Sequence, residues 1–523
     1  MNATMPGRFV GLILTAVIAA AACSSSDSAQ SASTTTTTTP PPTASQPAAE
    51  ATATQTPTAD SSHVSVLRNT VWESNGYGFV VEIDDELRFA RFQVTPPLGA
   101  VQDFFGSIEQ SSDGRLVVVR GGVEEAEIRL ADDRFFVHAE WQLAEQELEY
   151  TRLPSRPENS DVTLDESPVG VVTYFCRVFE SHHAFLQDRI DELAVPNGLL
   201  AAGTTWSDHC EAAIDGVSAE TTRAELCVVL AQLLAPLGDA HTFVVDNLTQ
   251  SCEGGGLHPE TFSTMSPGTP AAEVDRTDME TELDRAFELV DTGYLDTEVG
   301  QTTFASGQIS YGAVTDAPIL YMRIRAFPGL PVDHGLDTMM GFAADNNLRA
   351  VIIDLRANGG GSDALGIEIA SRFNNNDYVA YTKKARNDPD DPNAYNDGHR
   401  IMVNANNEPG MRDAPIVLLT SRLSISAAET FTMAMIERSP QEHPVIRIGG
   451  PTQGVYADVL VRTLPGSFMV GLPNERYLTT TGADYEIHGV MPDIEVPVFA
   501  PADLDAGRDP ALERAIEELV ARL

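Results

Sequence analysis

Hydrophobic and polar positions change their period along this chain, and each change marks a different kind of element. From about residue 63 to 156, short runs of β-forming residues alternate with turn signals. Gly78 to Ile83, Leu87 to Val94, Arg115 to Arg120 and Arg134 to Trp141 read as strands, and Ser112-Asp113-Gly114 and Asp132-Asp133 read as turns. This predicts a small all-β domain, a barrel or a sandwich. Between 165 and 245 the spacing becomes three and four residues, as in Val172, Phe175, Cys176 and Phe179, or Leu226, Val229, Leu230, Leu233 and Leu234. A helical bundle over 157–250 is therefore expected. Residues 251–315 form a connecting segment with a glycine-rich loop, a helix near 272–290 and one or two strands.

From 316 to 523 strands and helices alternate. Ile319 to Ile324, Ala350 to Leu355, Ile416 to Thr420 and Val445 to Ile448 are apolar runs of strand length. Helices are expected over Ala364 to Phe373 and from Ala427 to about Arg438. Continuously apolar strands between helices imply an α/β core with a largely parallel sheet. With 42% hydrophobic residues in 523, the chain can bury several cores.

The first residues change the picture of where this chain works. Arg8 precedes an apolar run, Val10 to Ala22, too short to span a bilayer as a stable helix. The run ends Ala20-Ala21-Ala22-Cys23-Ser24, which resembles the lipobox of bacterial lipoproteins, with Ala in place of the usual leading Leu. That resemblance implies a signal peptide over 1–22, lipidation of Cys23 and a membrane-anchored protein of the cell envelope. The alternative is an ordinary signal peptide and a secreted protein with a free Cys23 thiol. Residues 24–62, rich in Ser, Thr, Ala, Pro and Gln, cannot bury enough apolar surface to offset chain entropy and read as a disordered tether.

Charge excludes one class of partner. Against 76 acidic residues stand 33 basic ones, a net charge of −43, so nucleic acid is repelled and the surface is an acidic, solubilising one. Only two lysines occur, Lys383 and Lys384, in an Asn- and Asp-rich neighbourhood. Cys176, Cys210, Cys227 and Cys252 are even in number and, in an exported protein, suit two disulfides in any of three pairings. A zinc site of Cys210 with His209, His182 and His183 is the competing reading, which no Cys-x-x-Cys spacing supports.

Three loops carry possible chemistry. In Ser421-Arg422-Leu423-Ser424-Ile425-Ser426-Ala427-Ala428-Glu429 a buried strand runs into a helix that Ser426 opens. Unpaired N–H groups and the helix dipole stabilise negative charge there, which suits an acyl-transfer nucleophile and its oxyanion. The same string is also a capping box, S-x-x-E. In Asn358-Gly359-Gly360-Gly361-Ser362 the glycines fit a loose dinucleotide fingerprint, but Lys383-Lys384 follow the next strand where an acidic residue belongs. No Gly-Lys-Ser/Thr exists for a P-loop. Such a loop can instead offer N–H groups to an oxyanion. The third loop, Gly238-Asp239-Ala240-His241-Thr242, places a histidine just past a helix.

Together, D-L-R-A-N-G-G-G (354–361), S-I-S-A-A-E (424–429), G-G-P-T-Q-G (449–454) and Y-E-I-H-G-V-M-P-D-I-E-V (485–496) resemble serine peptidase family forty-one over roughly 165–498. That family holds the tail-specific (C-terminal processing) and tricorn core proteases. The resemblance implies a crotonase-like (ClpP/crotonase-type) α/β core behind the helical bundle and the β domain. It maps the nucleophile to Ser426 rather than Ser424. The lysine base of the tail-specific branch is replaced by Val455, whereas the tricorn-type branch implies His241 as base with Glu486 behind it. The second serine of the tricorn tetrad is Ala240 here, so Asp239 is a rival for orienting the imidazole. Gly360 and Ala427 would supply the oxyanion N–H groups.

The resulting expectation is an exported serine endopeptidase acting on peptide or unfolded protein through an acyl-enzyme, needing neither metal nor organic cofactor. Residues 251–315 are too few for a PDZ domain and lack a carboxylate loop, so recognition of substrate C-termini is not expected. Competing readings are a non-catalytic member binding peptides or hydrophobic ligands in the same cleft, and an esterase using the same residues.

Overall fold

The computed structural model describes residues 65–131, 134–138, 147–158, 162–249, 252, 256–267, 274–329, 331–438 and 444–523. The expected signal peptide, Cys23 and the tether lie outside the described residues. Among the described residues, no helix is long and apolar enough to cross a membrane.

Eight antiparallel strands close into a barrel: β1 (Thr70–Ser74), β2 (Phe79–Ile83), β3 (Arg88–Thr95), β4 (Gly99–Gln110), β5 (Leu116–Arg120), β6 (Val123–Ala131), β7 (Arg134–His138) and β8 (Leu148–Leu153). Alternation decides which side chains turn inward. Val81, Ile83, Phe89, Val118 and Ile128 fill the interior around Trp72, Phe135 and Tyr150. Phe135 stacks on Tyr150 at 4.7 Å and meets Trp72 edge-on at 4.9 Å. Closure removes exposed sheet edges.

Four helices follow: α1 (Pro168–His182), α2 (Leu186–Arg189), α3 (Trp206–Asp215) and α4 (Arg223–Leu234), α2 running on as a π turn. Thr205 with Asp208 and Thr222 with Glu225 form capping boxes at α3 and α4. Disulfides join Cys176 of α1 to Cys210 of α3, and Cys227 of α4 to Cys252. Because Cys210 is spent in a disulfide, the zinc reading built on it falls. These helices do not close a core by themselves. Phe175, Phe179, Leu230 and Leu234 share their core with Leu464, Phe468, Val470 and Leu472. β9 (Phe243–Asp246), just after α4, pairs with the strand that carries Phe468 and Val470.

The remainder runs α5 (Arg276–Gly293), β10 (Thr302–Phe304), β11 (Ile309–Ala313), β12 (Ile319–Ile324), α6 (Asp333–Asp345), β13 (Ala350–Asp354), α7 (Asp363–Ser371), β14 (Tyr378–Ala385) and β15 (His399–Val403). It continues with β16 (Ile416–Thr420), α8 (Ala427–Glu437), β17 (Ile446–Gly449), β18 (Val459–Leu464), β19 (Phe468–Pro473), β20 (Glu475–Leu478), β21 (Ile494–Glu495), α9 (Pro501–Asp505) and α10 (Pro510–Val520). Seven strands form one sheet in the order β10-β11-β12-β13-β16-β17-β21, parallel from β12 onward.

One face of this sheet packs on α6, α7 and α8, the other on α5, α9 and α10. Strands buried on both faces are largely apolar, which is why Ile319–Ile324, with Arg323 as its one charged residue, and Ile416–Thr420 were legible as they stand. The loops after β13, β16 and β17 leave the carboxyl edge side by side. In open α/β sheets that edge is where ligands bind.

Candidate active site

The loop after β16 turns sharply at Ser426, whose φ of 58° and ψ of −120° lie outside the regions ordinary residues prefer. Strain of this kind persists where the surroundings over-determine it, and it gathers at functional sites. Ser426 is half-buried and opens α8, whereas Ser424 is fully buried. The Ser424 hydroxyl donates to the Leu355 carbonyl at 2.8 Å and accepts the Ser421 N–H at 3.1 Å, an internal structural role. The capping box expected from S-x-x-E is present, so cap and accessible hydroxyl coexist at one residue. Its carboxylate half is Glu429, which accepts the Ser426 N–H at 3.2 Å.

The glycine loop after β13 lies directly against this turn. The Ile425 N–H donates to the Asn358 carbonyl at 2.9 Å. Gly360 has φ +93°, and a methyl group there would meet the Ser426 Cβ at 2.7 Å and the Ile425 carbonyl at 2.9 Å. Only glycine fits both the conformation and the space. Its N–H, expected to face an oxyanion, donates instead to Asn358 Oδ1 at 2.8 Å. In this conformation the Gly360 donor is engaged, while the Ala427 N–H has no acceptor among the described residues.

His241 sits in the loop before β9 and is buried, with its N–H on Asp239 Oδ1 at 2.8 Å. Asp239 thus holds the backbone of the histidine loop rather than the ring. Burial pushes the imidazole below the ordinary histidine range, against the pull of Asp239, Asp458 and the Ala457 carbonyl. The neutral ring is the form a general base needs. Its Nδ1 has no partner among the described residues, and no hydrogen bond joins the ring to the Ser426 hydroxyl there. Catalytic hydrogen bonds are often unformed before substrate binds.

What gathers these groups is the segment 454–458 after β17. Glu429, fully buried on the first turn of α8, accepts the Gly454 N–H at 2.7 Å and the Val455 N–H at 2.9 Å. Ala457 and Asp458, a few residues on, face His241. Glu486 lies behind: its carboxylate accepts the Tyr456 N–H at 2.9 Å and pairs with Arg189 at 2.5 Å. Burial pushes the Glu486 carboxyl up to about 8, with Arg189 opposing. Its contacts are to Arg189 and Tyr456, not to the imidazole, and Ala240 offers no hydroxyl to bridge the gap.

Arg189, Glu429 and Asp458 are the groups that sequence reasoning missed. Arg189 is 1% exposed and pairs with Asp239 at 3.0 Å as well as with Glu486. His183 also approaches Asp239, at 3.6 Å. Burial works against ionised Asp239, but Arg189 and then His183 more than offset it and hold the carboxyl well below its ordinary range.

The Asn- and Asp-rich sequence around the lysines does not show that Lys383 is buried: it is 2% exposed, ion-paired with Asp458 and, at 3.5 Å, with Glu475. Burial would lower its pKa, but Asp458 and Glu475 more than reverse this and raise it, so the amine stays a cation. Paired with two carboxylates, this amine favours its charged form, which is not the form a general base needs.

Comparison with known proteins follows the same lines. The sequence profile of Peptidase family S41 matches residues 318–496. The chain is similar to carboxyl-terminal-processing peptidase 2, chloroplastic, of Arabidopsis thaliana, 26% identical over 199 residues. That alignment covers 37% of this chain and 35% of the relative, so the chain spans about a third of that relative's length. Among solved structures, a peptidase-like protein of Parabacteroides merdae superposes with a TM-score of 0.53 at 21% identity, covering 69% of this chain and 98% of that one, which establishes a shared fold. The tricorn protease gives a TM-score of 0.35 at 12% identity over 85% of this chain and 45% of its own, too distant to carry an argument.

Proposed function

We propose that the chain is a serine peptidase of Peptidase family S41, whose profile matches residues 318–496, and that it hydrolyses peptide bonds through an acyl-enzyme on Ser426 with His241 as the base. One observation carries this reading. The strained, half-buried Ser426 stands at the carboxyl edge of the parallel sheet, against the glycine loop and beside the segment that His241 faces.

In this mechanism substrate draws the hydroxyl and the imidazole together. His241 takes the Ser426 proton as the oxygen attacks the carbonyl, and the tetrahedral oxyanion rests on the Ala427 N–H. Gly360 joins as second donor when Asn358 releases its N–H. The imidazolium protonates the leaving amine, and water then cleaves the acyl-enzyme by the reverse path. Asp239 fixes the histidine loop, and Glu486 acts on it from behind through Arg189. The sheet with its flanking helices is read as a crotonase-like core to which α1–α4 deliver the histidine. Substrates are peptides or unfolded proteins. The N-terminal segment is read as an export signal with a lipidated Cys23, which holds the enzyme on the outer face of the cell membrane.

A fluorophosphonate probe tests the chemistry. The adduct should form on Ser426, vanish in Ser426→Ala and fall strongly in His241→Ala; labelling that persists in Ser426→Ala would assign the wrong serine. The competing reading, a non-catalytic binder of peptides or hydrophobic ligands, draws on the missing Ser426–His241 hydrogen bond and the engaged Gly360 N–H. Absence of any adduct in the wild type would favour it. For the anchor, radiolabelled palmitate should enter the wild type and not Cys23→Ser.

A further inference from the structure

The guanidinium of Arg189 joins two loops that lie more than 200 residues apart in the sequence. Nη1 donates to the Leu237 and Gly238 carbonyls at 3.3 and 3.4 Å, and Nε lies 3.0 Å from Asp239. These three consecutive residues lead into His241. Nη2 donates to the Gly454 carbonyl at 2.8 Å and to Glu486 at 2.5 Å. Both terminal nitrogens of the planar fork are hydrogen-bonded, Nη1 on the histidine loop and Nη2 on the segment that touches Ser426 through Glu429, while Nε adds an ion-pair contact to Asp239. Arg189 itself comes from the end of α2, a third place in the chain.

We propose that Arg189 is a positioning residue of the peptidase site: it clamps the histidine loop onto the 454–458 segment and occupies the Asp239 and Glu486 carboxyls that lie behind His241. The proposal rests on the Ser426–His241 reading and adds to it the element that couples Glu486 to the base. Lysine could not replace it, because one ammonium cannot span two carboxylates and three carbonyls in a fixed plane.

The electrostatics agree with the geometry. Charged and titratable groups facing Arg189 are Asp239, Glu486, Glu429, His183, His241 and His258. Those facing the His241 ring are Asp239, Asp458 and Arg189 itself. Two carboxylates pull the ring towards protonation, and Arg189 and burial push it away. Without the guanidinium, Asp239 would be free to stabilise an imidazolium, so the basic form would be lost at a higher pH.

The test uses the full chain and a fluorophosphonate, whose rate of reaction with Ser426 reports the state of the base. Rates are measured across about pH 5.5 to 9, where histidine titrates. In Arg189→Met the acid limb should move upward by about one pH unit, so that labelling on that limb falls about tenfold further than at alkaline pH. Arg189→Lys, which restores charge but not the fork, should bring the limb back while the alkaline rate stays low. Added guanidinium at concentrations too low to unfold the protein should partly rescue Arg189→Ala. If Arg189→Met does not fold, Arg189→Met/Glu486→Gln removes the cation together with one of its two carboxyl partners and, with Asp239 still beside the ring, should show the same upward limb. A profile lowered equally at every pH, or one left unchanged, would overturn the proposal and leave the peptidase reading standing. Failure of the wild type to label at all would strike that reading instead.

Discussion

The Ser426 Cβ occupies the place that a side chain on Gly360 would need, 2.7 Å from the ideal Cβ position. Gly360→Ala therefore forces two loops apart, and it also asks an L-residue to hold φ +93°. The backbone term alone is about 1–3 kcal/mol. The larger effect should be on chemistry, because the displaced loop and the Ala427 N–H flank the same hydroxyl. We expect the melting temperature to fall by several degrees and the rate of fluorophosphonate labelling by about a hundredfold or more. Labelling at wild-type rate would mean that the loop does not border the reacting centre.

A second expectation concerns pH and stability. The Glu429 carboxyl is pushed by burial from 4.5 up to about 7, although the N–H groups of Gly454, Val455 and Ser426 draw it back. A folded-state pKa above the unfolded one means that the unfolded chain gives up its proton first as pH rises. Stability from this group is complete below 4.5, declines as pH rises towards 7 and levels off above it. Glu429→Gln should lack that decline. It should also be less stable at acid pH, since an amide has one acceptor oxygen for three N–H groups. Melting temperatures of the two proteins plotted against pH should converge between those limits. Parallel curves would show that the carboxyl is ionised throughout, against its burial.

Elements whose residues decide their own fate were readable from sequence. Ile416–Thr420 is apolar on both faces, and the turn that follows ends in a capping signal, so strand, loop and helix were placed correctly. Strands β4 and β6 were not. Gly99–Gln110 contains Gly106 and Asp103, whose carboxylate is held by Arg91 and Gln93, and Val123–Ala131 carries Glu124, Glu125, Glu127 and Arg129; each becomes a strand through its neighbours in the barrel. The same limit hid the site's charges. Asp188-Arg189 and Asp191-Glu192 read as the solvated face of a helix, and only packing shows that Arg189 alone turns inward. Lys383 disappears from the surface because Asp458 and Glu475, which hold it, are remote in the chain. Nor could spacing reveal that β9 pairs with β19, a contact that brings the histidine loop to the core.

The disulfide between Cys176 and Cys210 closes 34 residues that include His183 and Arg189. In the chain-entropy account a loop of that size stabilises by about 3–4 kcal/mol, chiefly by restricting the unfolded chain. The Cys176→Ser/Cys210→Ser double variant should lose about that much in denaturant unfolding. Because Arg189 sits inside the closed loop, labelling of Ser426 should also become more sensitive to mild denaturant than global unfolding is. Coincident loss of label and of fold would remove the link between this disulfide and the site.

The base of the glycine loop makes the sharpest stability prediction. Arg356 is fully buried between Asp354 at 2.6 Å and Asp509 at 2.7 Å, and its carbonyl accepts the Ser421 hydroxyl at 2.6 Å. Asp354 further accepts the Tyr321 hydroxyl, and Asp509 caps α10 through the Leu512 N–H. One cation therefore serves β13, the start of α10 and the loop preceding Ser426. Arg356→Ala would leave two buried carboxylates without a counter-charge, a loss of about 3–5 kcal/mol. Asp509→Asn should cost less than Arg356→Ala, because Arg356 keeps Asp354 and the cap keeps an acceptor oxygen. A double-mutant cycle of Arg356→Ala with Asp509→Asn should show strong coupling, the pair losing less than the sum of the singles. Additive losses, or a small effect of Arg356→Ala alone, would mean that water reaches this cluster and that the glycine loop does not depend on it.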